Sequence, residues 1–202
     1  MSEQQVNRQR ARLQLLLLML IPIAVVLLAT FVFYTRIGMP EGTRNKGMLI
    51  IPPLQLHELK LADMQGKPQQ LADQKDVWTF MYVSSSDCQE ACQHQLWETR
   101  QTRTALGKYQ DNVRRLWLIT DGSLSNETVS WLKQEHPDLQ LLGVNQQEWQ
   151  AKLGQSPQGL LSQSDARFYL VDPRGFVMMY YRPTDSYKDV ITDMKFLLKG
   201  VE

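Results

Sequence analysis

The sequence has no excess of charge of either sign. Its 22 Lys and Arg residues nearly balance 21 Asp and Glu residues, for a formal net charge of +1 over 202 residues. The basic surface typical of nucleic-acid-binding proteins is missing, so we predict no nucleic-acid partner. Internal repeats and low-complexity segments are missing too, while five Trp, seven Tyr and six Phe indicate a packed globular domain. This length has room for one domain of ordinary size and a membrane anchor.

Charge is absent from one long stretch, "LLLLMLIPIAVVLLATFVFY", Leu15 to Tyr34. At about 1.5 Å per residue this run matches a hydrocarbon core of ~30 Å, and Pro22 is compatible with a membrane helix. A cleaved signal peptide fits less well, because its apolar region usually has ~7–15 residues before a small-x-small site. We therefore predict a cytoplasmic segment at 1–14, a transmembrane anchor at 15–35 in contact with the lipid bilayer, a tether at 36–56 and an exported domain at 57–202.

The flanking charges predict the orientation of this anchor. Arg8, Arg10 and Arg12 precede it, whereas basic residues after it are scattered. The positive-inside rule then places the N-terminus in the cytoplasm. Because no Ser- and Arg-rich presequence precedes the anchor, we favour the bacterial inner membrane over the mitochondrial one. The predicted protein is single-pass, with its domain in the periplasm, where a cysteine pair can be oxidised.

The exported part alternates strand-like and helix-like segments. The nearly uncharged "VWTFMYVSS", Val77 to Ser85, predicts a central strand, and the Ser-Asp turn after it predicts the cap of a helix from near Cys88 to about Tyr109. Pro52 and Pro53 predict irregular structure for "MLIIPPLQL", docked on the domain surface. The other predicted elements are a hairpin at "LKLADMQGKPQQL", strands at "RLWLITD" and "LQLLGV", helices at "SNETVSWLKQEH" and "NQQEWQAKLG", a hairpin at "ARFYLVDPRGFVMMYYR" and a final helix at "SYKDVITDMKFLLKG". This order predicts an α/β fold, a central mixed sheet with helices on both faces.

Only two cysteines are present, Cys88 and Cys92, in "VSSSDCQEACQHQLW". A strand and turn that deliver two cysteines to a helix start resemble the thioredoxin-like arrangement. The helix N-terminus favours thiolate over thiol, and positions four apart on a helix would place both sulfurs on one face, with Cα atoms ~6 Å apart. Closing so small a loop gains only ~2 kcal/mol, so a reversible redox pair is the favoured interpretation. The alternative is two small buried apolar side chains.

Two thiolates on one face also suit Cu(I), which soft sulfur ligands select. The nearest candidate for a third ligand is His94, but helical geometry places it on the far side from the cysteines. We predict that His94, His57 and His136 are all solvated surface residues.

The N-terminal anchor, the segment "LADMQGKPQQLADQKDVWTFMYVSSSDCQEACQHQL" and the later "FYLVDPRGFV" together resemble the SCO/SenC family over roughly residues 55–199. Members of that family are membrane-anchored thioredoxin-like proteins of cytochrome c oxidase assembly, with a C-x-x-x-C pair that binds copper or exchanges electrons. The resemblance implies that Cys88 and Cys92 are the copper or redox thiols, and that an oxidase subunit or another assembly factor is the partner.

Three positions depart from the family pattern. Ser164 stands where the family's copper-binding histidine is expected, Ala166 where thioredoxin-like oxidoreductases have a cis-proline, and Gln93 where SCO proteins usually have a proline. A copper site would then need Met178, Met179 or a residue from another protein, although we predict that both methionines serve packing. The chain resembles a divergent relative that keeps the thiols without the full copper site.

Three functions remain open at this point. The first is an assembly factor for cytochrome c oxidase rather than an enzyme, acting by thiol–disulfide exchange or transient Cu(I) handling, with Cys88 as the attacking thiol. The second is a non-catalytic scaffold that binds an oxidase subunit or assembly factor. The third is a general periplasmic thiol oxidoreductase.

Overall fold

The structure is a computed structural model that describes residues 3–35, 44–71, 77–154 and 168–199. It divides into two compact units, Met1–Arg44 and Asn45–Glu202. The first contains one helix, α1 (Glu3–Thr35), whose segment Gln14–Thr35 is long and apolar enough to cross a membrane. The length and composition expected of an anchor are therefore present.

The second unit is built on a mixed sheet. The described strands of this sheet have the order β1-β8-β7-β4-β5-β6-β2-β3. The strands are β1 (Met48–Gln55), β2 (Leu61–Ala62), β3 (Pro68–Gln69), β4 (Trp78–Ser84), β5 (Val113–Ile119), β6 (Leu139–Gly143), β7 (Phe168–Val171) and β8 (Phe176–Tyr181). Central strands β4, β5 and β6 are parallel to one another, and the remaining pairs are antiparallel. Parallel strands β4 and β5 therefore end at the same edge of the sheet.

Helices cover both faces of this sheet, as predicted. Helices α2 (Glu90–Ala105), α3 (Asn126–Glu135) and α5 (Tyr187–Leu198) pack on one face, and α4 (Gln146–Gly154) packs on the other. The alternation of β4 explains this division: Phe80 points into the cluster under α5, whereas Met81 and Val83 join the cluster under α4. A strand buried on both faces needs the almost uninterrupted apolar sequence that β4 has.

The prediction of irregular structure at "MLIIPPLQL" is wrong. The segment forms β1, which pairs with β8 at the edge of the sheet. Its register shifts between Leu49 and Leu54, which accommodates Pro52 and Pro53. An edge strand tolerates proline because its outer N–H groups need no partner strand.

The chain just before β1 is bound to α5. The Asp193 carboxylate, which is buried, accepts hydrogen bonds from the backbone N–H groups of Lys46 (2.8 Å) and Gly47 (2.9 Å). The Tyr181 hydroxyl donates to the same carboxylate at 3.0 Å. The buried Asp193 carboxylate therefore connects α5 to β8 and to the segment before β1. It also satisfies two backbone N–H groups that form no hydrogen bond between strands.

Candidate functional site

The two cysteines lie beyond the C-terminal end of β4 and form a disulfide bond. Their Cα atoms are 5.0 Å apart. Cys88 is half-buried, whereas Cys92 is only 6% exposed. Of the two sulfurs, that of Cys88 lies in the more accessible residue, so it is the better placed to meet a thiol from another protein.

The loop that carries Cys88 is fixed to the end of the neighbouring strand β5. The Ser84 carbonyl accepts a hydrogen bond from the Thr120 N–H at 3.0 Å, and the Ser84 hydroxyl accepts one from the Trp117 indole at 2.9 Å. The N–H of Ser86, the second residue of the loop, donates to the Asp121 carboxylate at 2.6 Å. Because β4 and β5 end at one edge, these bonds hold the thiol-bearing loop against a rigid sheet.

The helix starts later than predicted. α2 begins at Glu90, with Gln89 in the capping position and no side-chain cap, so the prediction that the Ser-Asp turn caps a helix near Cys88 is wrong. Asp87 is engaged instead with the Gln89 side chain, whose amide donates to it at 3.0 Å. Cys88 thus precedes the helix, and the pair is joined across the turn into α2 rather than along one helical face. This is why the Cα distance is shorter than the ~6 Å of a helical pair.

Gln93, which stands where a proline is usual in SCO proteins, has a defined contact. Its side-chain amide donates to the Cys88 carbonyl at 3.1 Å. The backbone N–H of Gln93 also donates to the Gln89 carbonyl at 3.0 Å, the first turn of α2. Gln93 therefore links the Cys88 backbone to the helix that carries Cys92, and no local sequence pattern predicts this contact.

The surroundings of the disulfide are apolar on the inner side and acidic outside. Cys92 packs in a cluster with Leu96, Trp117, Ile119 and Leu132, and Cys88 lies at the margin of that cluster. The exposed residues Asp87 and Glu90 flank Cys88 in sequence.

Two of the three histidines lie where the sequence predicted them. His57 is exposed, and so is His94, whose ring stacks near Trp97 (centroids 6.0 Å apart) and whose Nδ1 lies 3.9 Å from the Glu98 carboxylate. The prediction that these two are surface residues is confirmed.

The same prediction for His136 is wrong. His136 is 3% exposed, and its Nδ1 lies 3.3 Å from the Arg115 guanidinium. The chain reverses after α3, so that the imidazole packs edge-on against Trp131 with ring centroids 4.9 Å apart. Burial, followed by the positive charges of Arg115 and Arg100, lowers the pKa of His136 to about 4. His136 is therefore neutral at physiological pH.

Arg115 is the centre of a buried polar cluster that the sequence analysis missed. It is 1% exposed, and its guanidinium donates to the Asp138 carboxylate (3.0 Å), to the Thr99 hydroxyl (3.1 Å) and to the carbonyl of Leu96. Burial lowers the pKa of Arg115 to about 10, with the Asp138 charge acting in the opposite direction. The alternation of side chains along β5 could have predicted the burial of Arg115, because it places Arg115 on the same face as Trp117, under α2.

The described part of the chain brings no His, Asp or Glu side chain to the cysteine pair as a third metal ligand. Among its residues, no group of three His, Cys, Asp or Glu side chains could hold a metal ion, and the two thiols are joined to each other. Met179 is buried in the cluster under α5 and Met178 packs against that cluster, as the packing interpretation predicted. Ser164 and Ala166 lie outside the described residues.

Comparison with known proteins decides the family. The model of the family described as transmembrane-like, thioredoxin-like, C-terminal domain matches residues 78–200. The chain belongs to this family. A search of curated proteins found no match.

Solved structures confirm the fold. The chain is similar to a SCO1/SenC family lipoprotein from Bacillus anthracis at 19% identity, with a TM-score of 0.51 over 79% of this chain and 98% of that one. It is similar to BsSco, a member of the Sco family of cytochrome c oxidase assembly proteins with an identified disulfide switch, at 18% identity, with a TM-score of 0.52 over 79% and 99%. Yeast Sco1 gives 19% identity and a TM-score of 0.51 over 73% and 93%. The predicted thioredoxin-like fold and the divergent resemblance to SCO/SenC proteins are both confirmed.

Proposed function

We propose that this protein is a membrane-anchored assembly factor for cytochrome c oxidase that acts by thiol–disulfide exchange through Cys88 and Cys92. The observation that carries the proposal is the pair itself: a disulfide between a half-buried cysteine, on a loop held against the end of β5, and a buried cysteine in the first turn of α2. The structural likeness to BsSco supports the pathway, because that protein belongs to a family of oxidase assembly proteins and has a disulfide switch.

The proposed reaction conserves thiols and disulfides. In the reduced protein, the Cys88 thiolate attacks a disulfide of the target, forms a bond to one target sulfur and releases the other as a thiolate. The Cys92 thiolate then attacks the Cys88 sulfur, which forms the Cys88–Cys92 disulfide and releases the second target thiolate. The structure corresponds to this oxidised product. A separate dithiol protein of the same compartment would reduce it for the next cycle.

The compartment is part of the proposal. The apolar segment of α1 would span the bacterial inner membrane once, with its N-terminal arginines in the cytoplasm and the thioredoxin-like domain in the periplasm. An oxidising compartment is where a cysteine pair needs a dedicated reduction system, and where a target's metal-binding cysteines become oxidised.

Copper takes no part in the proposed reaction. Reduction would free two soft sulfur ligands, but among the described residues no group of three His, Cys, Asp or Glu side chains could hold a metal ion, and His94 is exposed beside Glu98. We expect the reduced protein not to retain one Cu(I) per chain against a competing chelator. Stoichiometric retention would instead support transient Cu(I) handling.

The decisive experiment complements cells that lack the gene with Cys88→Ser, Cys92→Ser or the double variant, and measures oxidase activity. We expect all three to fail, whereas His94→Ala, an exposed change on the same helix, should restore activity. Full activity of the double variant would contradict thiol exchange and favour the scaffold. Cys92→Ser should also trap a mixed disulfide with the target through Cys88, visible on a non-reducing gel, while Cys88→Ser should not.

A generic disulfide substrate tests the remaining alternative. The purified reduced protein should reduce insulin slowly, because its proposed target is a specific one. Rapid insulin reduction by the wild type, together with normal oxidase activity in the deletion strain, would favour a general oxidoreductase.

A further inference from the structure

Helix α5 has an exposed face with three lysines in one line. Lys188, Lys195 and Lys199 are all exposed, and at 100° per residue they lie within about 40° of one another around the helix. Phe196, which is 56% exposed, lies at the margin of this line, about 60–100° around the helix from the lysines. We call these four residues the α5 lysine face.

The charge of this face is not neutralised locally. Within the residues that the structure describes, none of the ion pairs includes Lys188, Lys195 or Lys199. The acidic residues of the same helix are used elsewhere: Asp189 completes the capping box with Ser186, and the buried Asp193 binds backbone N–H groups. The face is therefore positive, with an exposed aromatic ring at its margin.

The same helix is bound to the chain that leads to the apolar segment. Asp193 of α5 accepts from the backbone N–H groups of Lys46 and Gly47, and Lys46 lies eleven positions after Thr35, the last residue of α1. Both units belong to one chain, so a domain whose α1 segment crosses a membrane stays tethered to that membrane, which raises its effective concentration at the lipid surface.

We propose that the α5 lysine face docks on an anionic lipid surface beside the chain's own anchor. Lysines at a membrane surface are attracted by anionic headgroups, and an adjacent aromatic side chain inserts at the headgroup level. Docking would restrict the orientations in which the Cys88–Cys92 loop meets a membrane-embedded target. The inference rests on the proposed membrane anchor and is independent of thiol exchange.

Lysine acetylation of the full-length protein in nanodiscs tests the docking. Nanodiscs of phosphatidylcholine alone are compared with a ~3:1 mixture of phosphatidylcholine and phosphatidylglycerol, and the rate at each lysine is read by mass spectrometry. We expect Lys188, Lys195 and Lys199 to react at least about threefold more slowly with the anionic lipid, and high salt to remove the difference. Lys67, in the β2–β3 turn at the opposite edge of the sheet, is the internal control and should not change.

Equal rates at the three lysines in both kinds of nanodisc would overturn the docking. Protection seen only in native membranes, and not in anionic nanodiscs, would overturn it as well and point to a protein partner. The double variant Lys195→Glu/Lys199→Glu should remove the protection of Lys188, whereas Lys67→Glu should not. Both variants change exposed residues, so an unchanged urea unfolding curve confirms that they fold. Failure of the protein to co-elute with nanodiscs would refute the anchor, an outcome distinct from equal acetylation rates in co-eluting protein.

Discussion

The buried His136 predicts a specific loss of stability in acid. The Arg115 guanidinium can only donate hydrogen bonds, so the imidazole Nδ1 that faces it at 3.3 Å must be an acceptor. Protonation of His136 would turn this acceptor into a donor and place a positive charge beside Arg115. The folded state therefore resists protonation, which is the physical meaning of a pKa of about 4.

The magnitude follows from proton linkage. The ordinary pKa of histidine is 6.5, so the unfolded chain binds a proton at His136 more readily than the folded chain does. The contribution of neutral His136 is complete above about pH 6.5 and is lost as the pH falls towards 4. At pH 5 the difference amounts to about 2 kcal/mol of unfolding free energy, and well below pH 4 it approaches about 3 kcal/mol.

Urea unfolding in a mild detergent at pH 7.5 and pH 5.0, followed by tryptophan fluorescence, measures this difference. In His136→Asn, the side-chain oxygen can still accept from Arg115 and the side chain does not titrate. We expect the free energy of unfolding of this variant to fall by about 2 kcal/mol less than that of the wild type between the two pH values. His94→Asn, at an exposed position on α2, should behave like the wild type. An identical pH dependence of His136→Asn and wild type would refute the reasoning.

Two further substitutions, one with a matched control, test the packing of the domain. Gly47→Ala should destabilise the protein by about 1–3 kcal/mol, because a Cβ at this position would lie 2.7 Å from Cγ of Met179. The control is Gly154→Ala, which has open space around it and should be nearly neutral in the same urea titration. Arg115→Met should cost about 1–3 kcal/mol, because it removes the buried hydrogen bonds from the guanidinium to the Thr99 hydroxyl and the Leu96 carbonyl. The Asp138 carboxylate is exposed and keeps its ion pair with Arg103, so it is not left as an unpaired buried charge. A loss below about 0.5 kcal/mol would show that the cluster is not important for stability.

Local sequence patterns predicted most of the fold. The apolar β4 sequence, the Pro137 that follows α3 and the Asp172–Gly175 turn of the β7–β8 hairpin each depend on interactions within a few residues, and each element lies where it was predicted. The β1 strand was missed because its formation depends on an available edge of β8, more than a hundred residues away in the sequence. The start of α2 was misplaced because the Ser-Asp turn binds the end of β5, which is a tertiary contact.

By itself, the sequence determined the apolar segment, the α/β pattern and the presence of a close cysteine pair, because these depend on composition and short spacings. Only the tertiary structure decided how the cysteine pair is held, because Asp121 fixes its loop. It also decided that His136 is buried, where Arg115 reaches it from β5. It also showed that the Lys46–Gly47 segment binds Asp193 of α5. These contacts join residues that are far apart in the chain, and no local pattern encodes them.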